Sequence, residues 1–130
     1  MSTTVLVVDD DLGIRRVLSR TLEHHGLAVR TAASGEEAFE VLSSTSIDLV
    51  LMDLRMPRMS GRTLYHMIRS QWPELADRVI VASGDPEAPE HREWIALYGL
   101  PVLTKPFDVA DLLATISGRL PHPPHEATGS

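Results

Sequence analysis

The sequence predicts an α/β fold: a doubly wound, five-stranded parallel sheet with five helices. Three observations carry this. Short apolar runs alternate with helical stripes five times, which implies parallel strands joined by right-handed helical crossovers. The runs are apolar almost throughout rather than alternating, as expected where helices cover both faces of a sheet. The runs also end in polar residues, namely Asp9-Asp10, Asp53, Ser83-Gly84 and Lys105.

Taken in order, Val5–Val8 is a strand-length apolar run. Ile14, Val17, Leu18 and Leu22 follow with helical spacing and stop near Gly26. Ala28–Ala32 reads as a weaker second strand. Ser34 with Glu37 three residues on has the form of a capping box, and Ala38, Val41 and Leu42 continue that helix. Asp48–Met52 is the third strand. Ser60-Gly61 opens a helix carrying Leu64, Met67, Ile68 and Trp72, and Pro73 marks its end. Arg78–Ala82 is the fourth strand. A short helix over Glu90–Tyr98 is closed by Gly99. Pro101–Thr104 is a short fifth strand, with proline tolerated at its start. Asp108 caps a last helix with Val109, Leu112, Leu113, Ile116 and Leu120 on one face.

A chain of 130 residues, 43% apolar, suffices for one domain with its own core. That domain is expected over residues 1–120. Residues 121–130 begin with three prolines in four positions and are expected to form a disordered tail. No run of apolar residues is long enough for a membrane span, and the first residues lack a signal-peptide pattern. The absence of cysteine excludes disulfides and thiolate metal sites. A cytoplasmic location fits these features. A net charge of −6 argues against direct nucleic-acid binding, which needs a basic surface. No block of Lys or Arg suggests a membrane-surface patch.

In open parallel sheets, function sits beyond the carboxyl ends of the strands, where strand order reverses. Asp9, Asp10, Asp53, Ser83 and Lys105 all lie at such ends. Three carboxylates in one cleft repel: two unit charges about 4 Å apart cost roughly 4 kcal/mol at an effective dielectric of 20. One lysine offsets part of this. A hard divalent cation, Mg²⁺ above all, would offset the rest and suits a phosphorylated partner. An aspartate in this setting can act as nucleophile and form an acyl-phosphate. Mg²⁺ and Lys105 would stabilise the transferring oxygens. Ser83 could hydrogen-bond the bound group, with Gly84 leaving room beside it.

Val7-Val8-Asp9-Asp10, Leu51-Met52-Asp53-Leu54-Arg55-Met56-Pro57, Ala82-Ser83-Gly84 and Thr104-Lys105-Pro106-Phe107 together resemble a response-regulator receiver domain of two-component signalling. The resemblance covers roughly Thr4 to Leu120. It implies a flavodoxin-like sheet in the order 2-1-3-4-5. It implies Asp53 as the phosphoryl acceptor from a histidine kinase or a histidine phosphotransfer protein. Asp9 and Asp10 match the acid pair that holds Mg²⁺, one directly and one through water, and the backbone carbonyl of Arg55 matches a third protein ligand. Ser83 matches the hydroxyl switch position and Lys105 the phosphate-contacting lysine. The Lys105-Pro106 bond resembles a family cis peptide. At the position three before the lysine, where receivers often carry an aromatic that rotates on activation, this chain has Val102. The stretch Leu97–Lys105 is also similar to receivers attached to hybrid kinases, so a stand-alone and an excised receiver are both open, as is a phosphorylation-dependent dimer. The downstream target is not specified.

Blander readings stand beside these. Asp9 and Asp10 would serve as caps of the first helix, Asp53 as a turn acid, Ser83 as a loop hydroxyl and Lys105 as a surface charge. Two other functions compete: an aspartyl-phosphate phosphatase of haloacid dehalogenase type, using Asp9-Asp10-Asp11, and a degenerate receiver acting as a constitutive binding module. The former lacks the later acidic pair and a cap domain. All six histidines are assigned to the surface, His24 and His25 near a helix end where cations suit the dipole. Trp94 is the candidate for a partner interface, and Ile95 for the core.

Overall fold

In a computed structural model of the chain, the structure describes residues 3–56 and 58–120. The strands are β1 (Thr4–Val8), β2 (Ala28–Ala32), β3 (Leu49–Asp53), β4 (Val79–Ser83) and β5 (Val102–Thr104). The helices are α1 (Leu12–His24), α2 (Gly35–Ser44), α3 (Gly61–Gln71), α4 (Pro73–Ala76), α5 (Pro89–Tyr98) and α6 (Val109–Arg119). All strand pairs are parallel, and the order is β2-β1-β3-β4-β5. The expected fold is therefore the observed one, with a sixth, one-turn helix added. Pro73 ends α3 and also begins α4: its ring suits a first helical position, and Trp72 serves as the last cap of one helix and the first of the next. The expected tail, residues 121–130, lies outside the described residues.

Alternation along each strand sorts the core into two layers. Leu6, Val8, Val50, Met52, Val79 and Val81 meet Ala38 and Leu42 of α2, Leu64 and Ile68 of α3, and Trp94 of α5. Val5, Val7, Leu49, Leu51, Ile80 and Leu103 meet Leu18 and Leu22 of α1 and Leu112 and Ile116 of α6. Helices thus cover both faces, which is why the strands read as continuous apolar runs.

Helix starts follow local chemistry. Asp11, Ser34, Ser60 and Asp108 each accept a hydrogen bond from the backbone three residues on. Glu37 completes its box one residue early, at the amide of Ala33 (3.3 Å). Gly99 closes α5 in the left-handed conformation. The sequence reading of Trp94 as an interface residue is corrected. Trp94 is buried, because its indole N–H finds a partner in His66 and its ring packs among Tyr65 and Tyr98. His91 is likewise buried rather than on the surface, since the first turn of α5 directs it inward, and neither ring nitrogen has a hydrogen-bond partner.

The turn after β3 is tight. A Cβ at Gly61 would lie 2.6 Å from the carbonyl oxygen of Asp53 and 3.0 Å from Cα of Leu54. Both are backbone atoms and cannot rotate away. Gly118, exposed on α6, has nothing within 4 Å of such a Cβ. Gly61→Ala is expected to lower stability by about 1–3 kcal/mol in urea unfolding, as overpacking does. Gly118→Ala is expected to raise it by up to about 1 kcal/mol through helix propensity. Equal effects at the two positions would contradict the close approach of α3 to Asp53.

Candidate functional site

The chain passes from β1 to β2 on one side and returns to β3 on the other, so the reversal of strand order falls between β1 and β3. At the carboxyl edge of that junction stand Asp9, just past β1, and Asp53, the last residue of β3. The third and fourth strands run one residue further than the sequence suggests, so Asp53 and Ser83 are themselves paired, with Ala82 and Thr104. Strand pairing holds both positions in register.

One carboxylate oxygen from each of Asp9, Asp10 and Asp53 lies within 4.8 Å of the others. The Nζ of Lys105 donates to Asp9 Oδ2 at 2.9 Å and to Asp53 Oδ2 at 3.0 Å. Lys105 is the only lysine of the chain. Its backbone is fixed too, since its amide donates to the carbonyl of Ser83 at 2.8 Å. The Lys105-Pro106 bond is cis.

Each acid is placed differently. Asp9 is buried. Its Oδ1 accepts from the amide of Asp11 (2.9 Å), its Oδ2 from Lys105, and its carbonyl from Arg15 Nη1 (2.6 Å). Asp53 Oδ1 accepts from the amide of Arg55 (3.0 Å). Asp10 is exposed. Neither Asp9 nor Asp10 caps α1, because Asp11 does so by accepting from Ile14 (3.1 Å). That leaves the acid pair free for the cleft. Ser83 is buried, and its hydroxyl accepts from the amide of Asp85 at 3.1 Å. The guanidinium of Arg55 turns outward to Glu90 at 3.6 Å. Arg15 is the contributor that sequence reasoning missed. A signal existed: a cation near the N-terminal end of a helix opposes the dipole, which hints at a local use.

Chemically, this donor set fits a hard divalent cation: three carboxylates converge at a strand-end cleft with no soft ligand among them. The ammonium alone cannot balance three negative groups. Its proton is firmly held. Burial pushes the Lys105 pKa down, but its hydrogen bonds to Asp9 and Asp53, together with their charges, outweigh burial and raise it above the ordinary 10.5.

An open parallel sheet with an acidic, lysine-bearing cleft at its switch point defines a doubly wound α/β protein with a metal-competent site. The chain belongs to the response regulator receiver domain family, whose model matches residues 5–117. It is 36% identical over 121 residues to the DNA-binding transcriptional regulator NtrC of Escherichia coli K12, covering 91% of this chain and 25% of that protein. It is 32% identical over 120 residues to the response regulator MprA of Mycobacterium ulcerans, covering 92% of this chain and 51% of that protein. The chain thus spans a quarter to a half of these relatives. Among solved structures, the chemotaxis protein CheY4 of Vibrio cholerae superposes with a TM-score of 0.83 at 30% identity, covering 92% of this chain and 100% of that one. Response regulator TrrA of Thermotoga maritima, solved in complex with Mg²⁺-BeF, gives 0.79 at 28% identity, covering 91% and 99%. Receiver domains of this family are signalling switches. They bind Mg²⁺ at an acidic pocket and take phosphoryl groups from histidine kinases or phosphotransfer proteins. Among the described residues, no helix is long and apolar enough to cross a membrane.

The raised Lys105 value sets a pH window. A lysine whose folded pKa is raised contributes stability that is fully present below its unfolded value and is lost as pH rises through the folded one. Lys105→Met is therefore expected to cost about 1.5–3 kcal/mol at neutral pH, the range for charged hydrogen bonds. The gap between wild type and variant should hold up to about pH 10 and close above it. Urea unfolding across alkaline pH checks this, and a gap that closes near neutrality would contradict the geometry.

Proposed function

We propose that this chain is a phosphorylation-dependent switch in which Asp53 accepts a phosphoryl group from a histidine kinase or histidine phosphotransfer protein. The observation that carries the reading is the convergence of Asp9, Asp10 and Asp53 with a single ammonium bonded to two of them. Asp9, Asp10, Asp53 and the backbone carbonyl of Arg55 would hold Mg²⁺, which when bound there would supply positive charge against the transferring phosphoryl oxygens.

The protein's own groups then do the following. Asp53, ionised, attacks the phosphorus through a carboxylate oxygen. The P–N bond of the phosphohistidine breaks, and its electron pair stays on the imidazole nitrogen. The Arg55 amide holds the other end of the Asp53 carboxylate in place. Lys105, already within 3.0 Å of Asp53, moves its ammonium to the incoming oxygens. The Ser83 hydroxyl, which accepts from the Asp85 amide, keeps its own proton free to donate to the phosphoryl group. Both carboxylate oxygens of Asp9 already accept a bond, from the Asp11 amide and Lys105, whereas Asp10 is exposed, so Asp10 would be the better direct metal ligand and Asp9 would act through water and through Lys105.

A protein donor suits the surroundings. An apolar cleft lined by Ile14, Val17, Leu18 and Phe107 opens beside Lys105 and Pro106, and Val17 is 64% exposed. That cleft would seat an apolar helix face next to the acceptor.

Incubation with acetyl phosphate and Mg²⁺ is expected to attach one phosphoryl group, read as a single mass increment that is lost on alkaline or hydroxylamine treatment. Asp53→Asn and omission of Mg²⁺ should each abolish it, and Asp10→Asn should raise the Mg²⁺ concentration required by tenfold or more, the scale of losing a metal contact. Full labelling of Asp53→Asn would overturn the assignment.

A further inference from the structure

Helices α3 and α5 meet through side chains at matched turns. Arg62, His66 and Arg69 follow one another on α3, and Glu90, Trp94 and Tyr98 on α5. Arg62 Nη1 donates to the carbonyl of Glu90 at 2.8 Å, and its guanidinium lies 5.6 Å from the centre of the Trp94 ring. Trp94 Nε1 donates to His66 Nε2 at 3.3 Å. The guanidinium of Arg69 lies 4.6 Å from the centre of the Tyr98 ring. The start of α5 is held otherwise by burial of Ala88 and His91 and by the Arg55–Glu90 pair at 3.6 Å. Ala88 offers no side-chain cap, and among the described residues α5 makes no extended close backbone approach to another element.

The direction of the central bond has a chemical consequence. An indole N–H can only donate. His66 Nε2 must then be the acceptor, so the ring is neutral with its proton on Nδ1. His66 is exposed, so a proton reaches it without any opening of the fold. Protonation places a second hydrogen against the indole N–H. It also sets a third cation one helical turn from Arg62 and from Arg69. The surrounding rings offer little compensation, because guanidiniums already lie over Trp94 and Tyr98.

The other groups around this cluster do not relieve the conflict. From α5, Trp94 and Tyr98 face His66, while the Glu90 carboxylate is turned to Arg55 (3.6 Å) and His91 (3.7 Å). On α3, Tyr65 packs beside His66. Burial, opposed by Arg69 and reinforced by Asp77 and Tyr98, keeps the Tyr65 hydroxyl above its ordinary value, so it stays neutral.

We propose that His66 is a proton-operated latch on α5: neutral, it fixes Trp94 and the helix, and protonated, it releases them. Residues 84–88 join Ser83 to α5, so the latch sets the freedom of the strand end beside Asp53. That last link rests on the role proposed for Asp53, whereas the latch itself does not.

The test is NMR on the whole chain, free of phosphodonor and Mg²⁺, titrated through the range where histidines exchange protons. Ring ¹⁵N shifts report the tautomer and protonation of His66. Solvent exchange of the Trp94 indole proton and of the α5 amides reports release, each compared with His66→Gln at the same pH. In His66→Gln the amide oxygen still accepts from Trp94 but cannot gain a proton. The expected result is Nδ1-protonated His66 at the alkaline end. Exchange at Trp94 and α5 should then rise several-fold over the variant as His66 protonates. His66→Lys, permanently charged, should show the fast exchange at every pH. Exchange that stays flat through the His66 titration overturns the latch. So does a loss of protection, taken relative to the intrinsic exchange rate at each pH, that persists in His66→Gln, which would assign the response to His91. Either failure leaves phosphoryl transfer to Asp53 intact, and failure of Asp53 labelling leaves this measurement standing.

Discussion

A single ammonium joins carboxylates from two different strands, and the site depends on it. Lys105 directly follows the edge strand β5, yet its Nζ lies within 3.0 Å of acids that follow β1 and end β3. The reach works only if β3, β4 and β5 are in correct register. The pairings Asp53↔Ala82 and Ser83↔Thr104, with the amide of Lys105 bonded to the carbonyl of Ser83, provide that register. A slip of one residue would send each of these side chains to the opposite face of the sheet. The two-sided apolar core is what makes such a slip costly, since the central strands β1, β3 and β4 each bury residues on both faces.

The acids carry opposing requirements. Binding a cation and a phosphoryl group calls for uncompensated negative charge, while folding calls for its neutralisation. The structure separates these demands by residue. Asp9 is the buried one, Asp9 and Asp53 are each bonded at both carboxylate oxygens, and Asp10 is exposed at the rim. Arg15, holding the carbonyl of Asp9, steadies the loop without entering the cleft. The opposite design, with all three acids buried and unpaired, would cost several kcal/mol of repulsion on the scale of about 4 kcal/mol per close pair.

The candidate site is legible because its residues sit at strand ends, which show in sequence as polar residues closing a run of strand length. Asp9, Asp10, Asp53, Ser83 and Lys105 read this way, and the strand order follows from the family resemblance. Features that depend on tertiary partners were not legible. Trp94 reads as a candidate interface aromatic on a short helix; its burial comes from packing among Tyr65 and Tyr98 in the core and from its bond to His66, 28 positions earlier. Asp11 is a third acid in a row, and nothing in the sequence says that it, rather than Asp9 or Asp10, caps α1. The extra helix α4 was hidden because proline signals an end and a beginning equally well. Val102 is a half-buried aliphatic where many receivers place an aromatic, while the rings of this protein gather between α3 and α5 instead.

In the proposed reaction, the carboxylate bonded to Lys105 and to the Arg55 amide is the one that takes the phosphoryl group. Borohydride reduction of the phosphorylated protein tests it most directly, because an acyl-phosphate on aspartate is reduced to homoserine and the position is read by peptide mass. The expected result is homoserine at position 53 alone, formed only after treatment with phosphodonor and Mg²⁺. Homoserine at position 9 or 10, or a stable phosphoryl group on a serine or histidine with none at 53, would contradict the account.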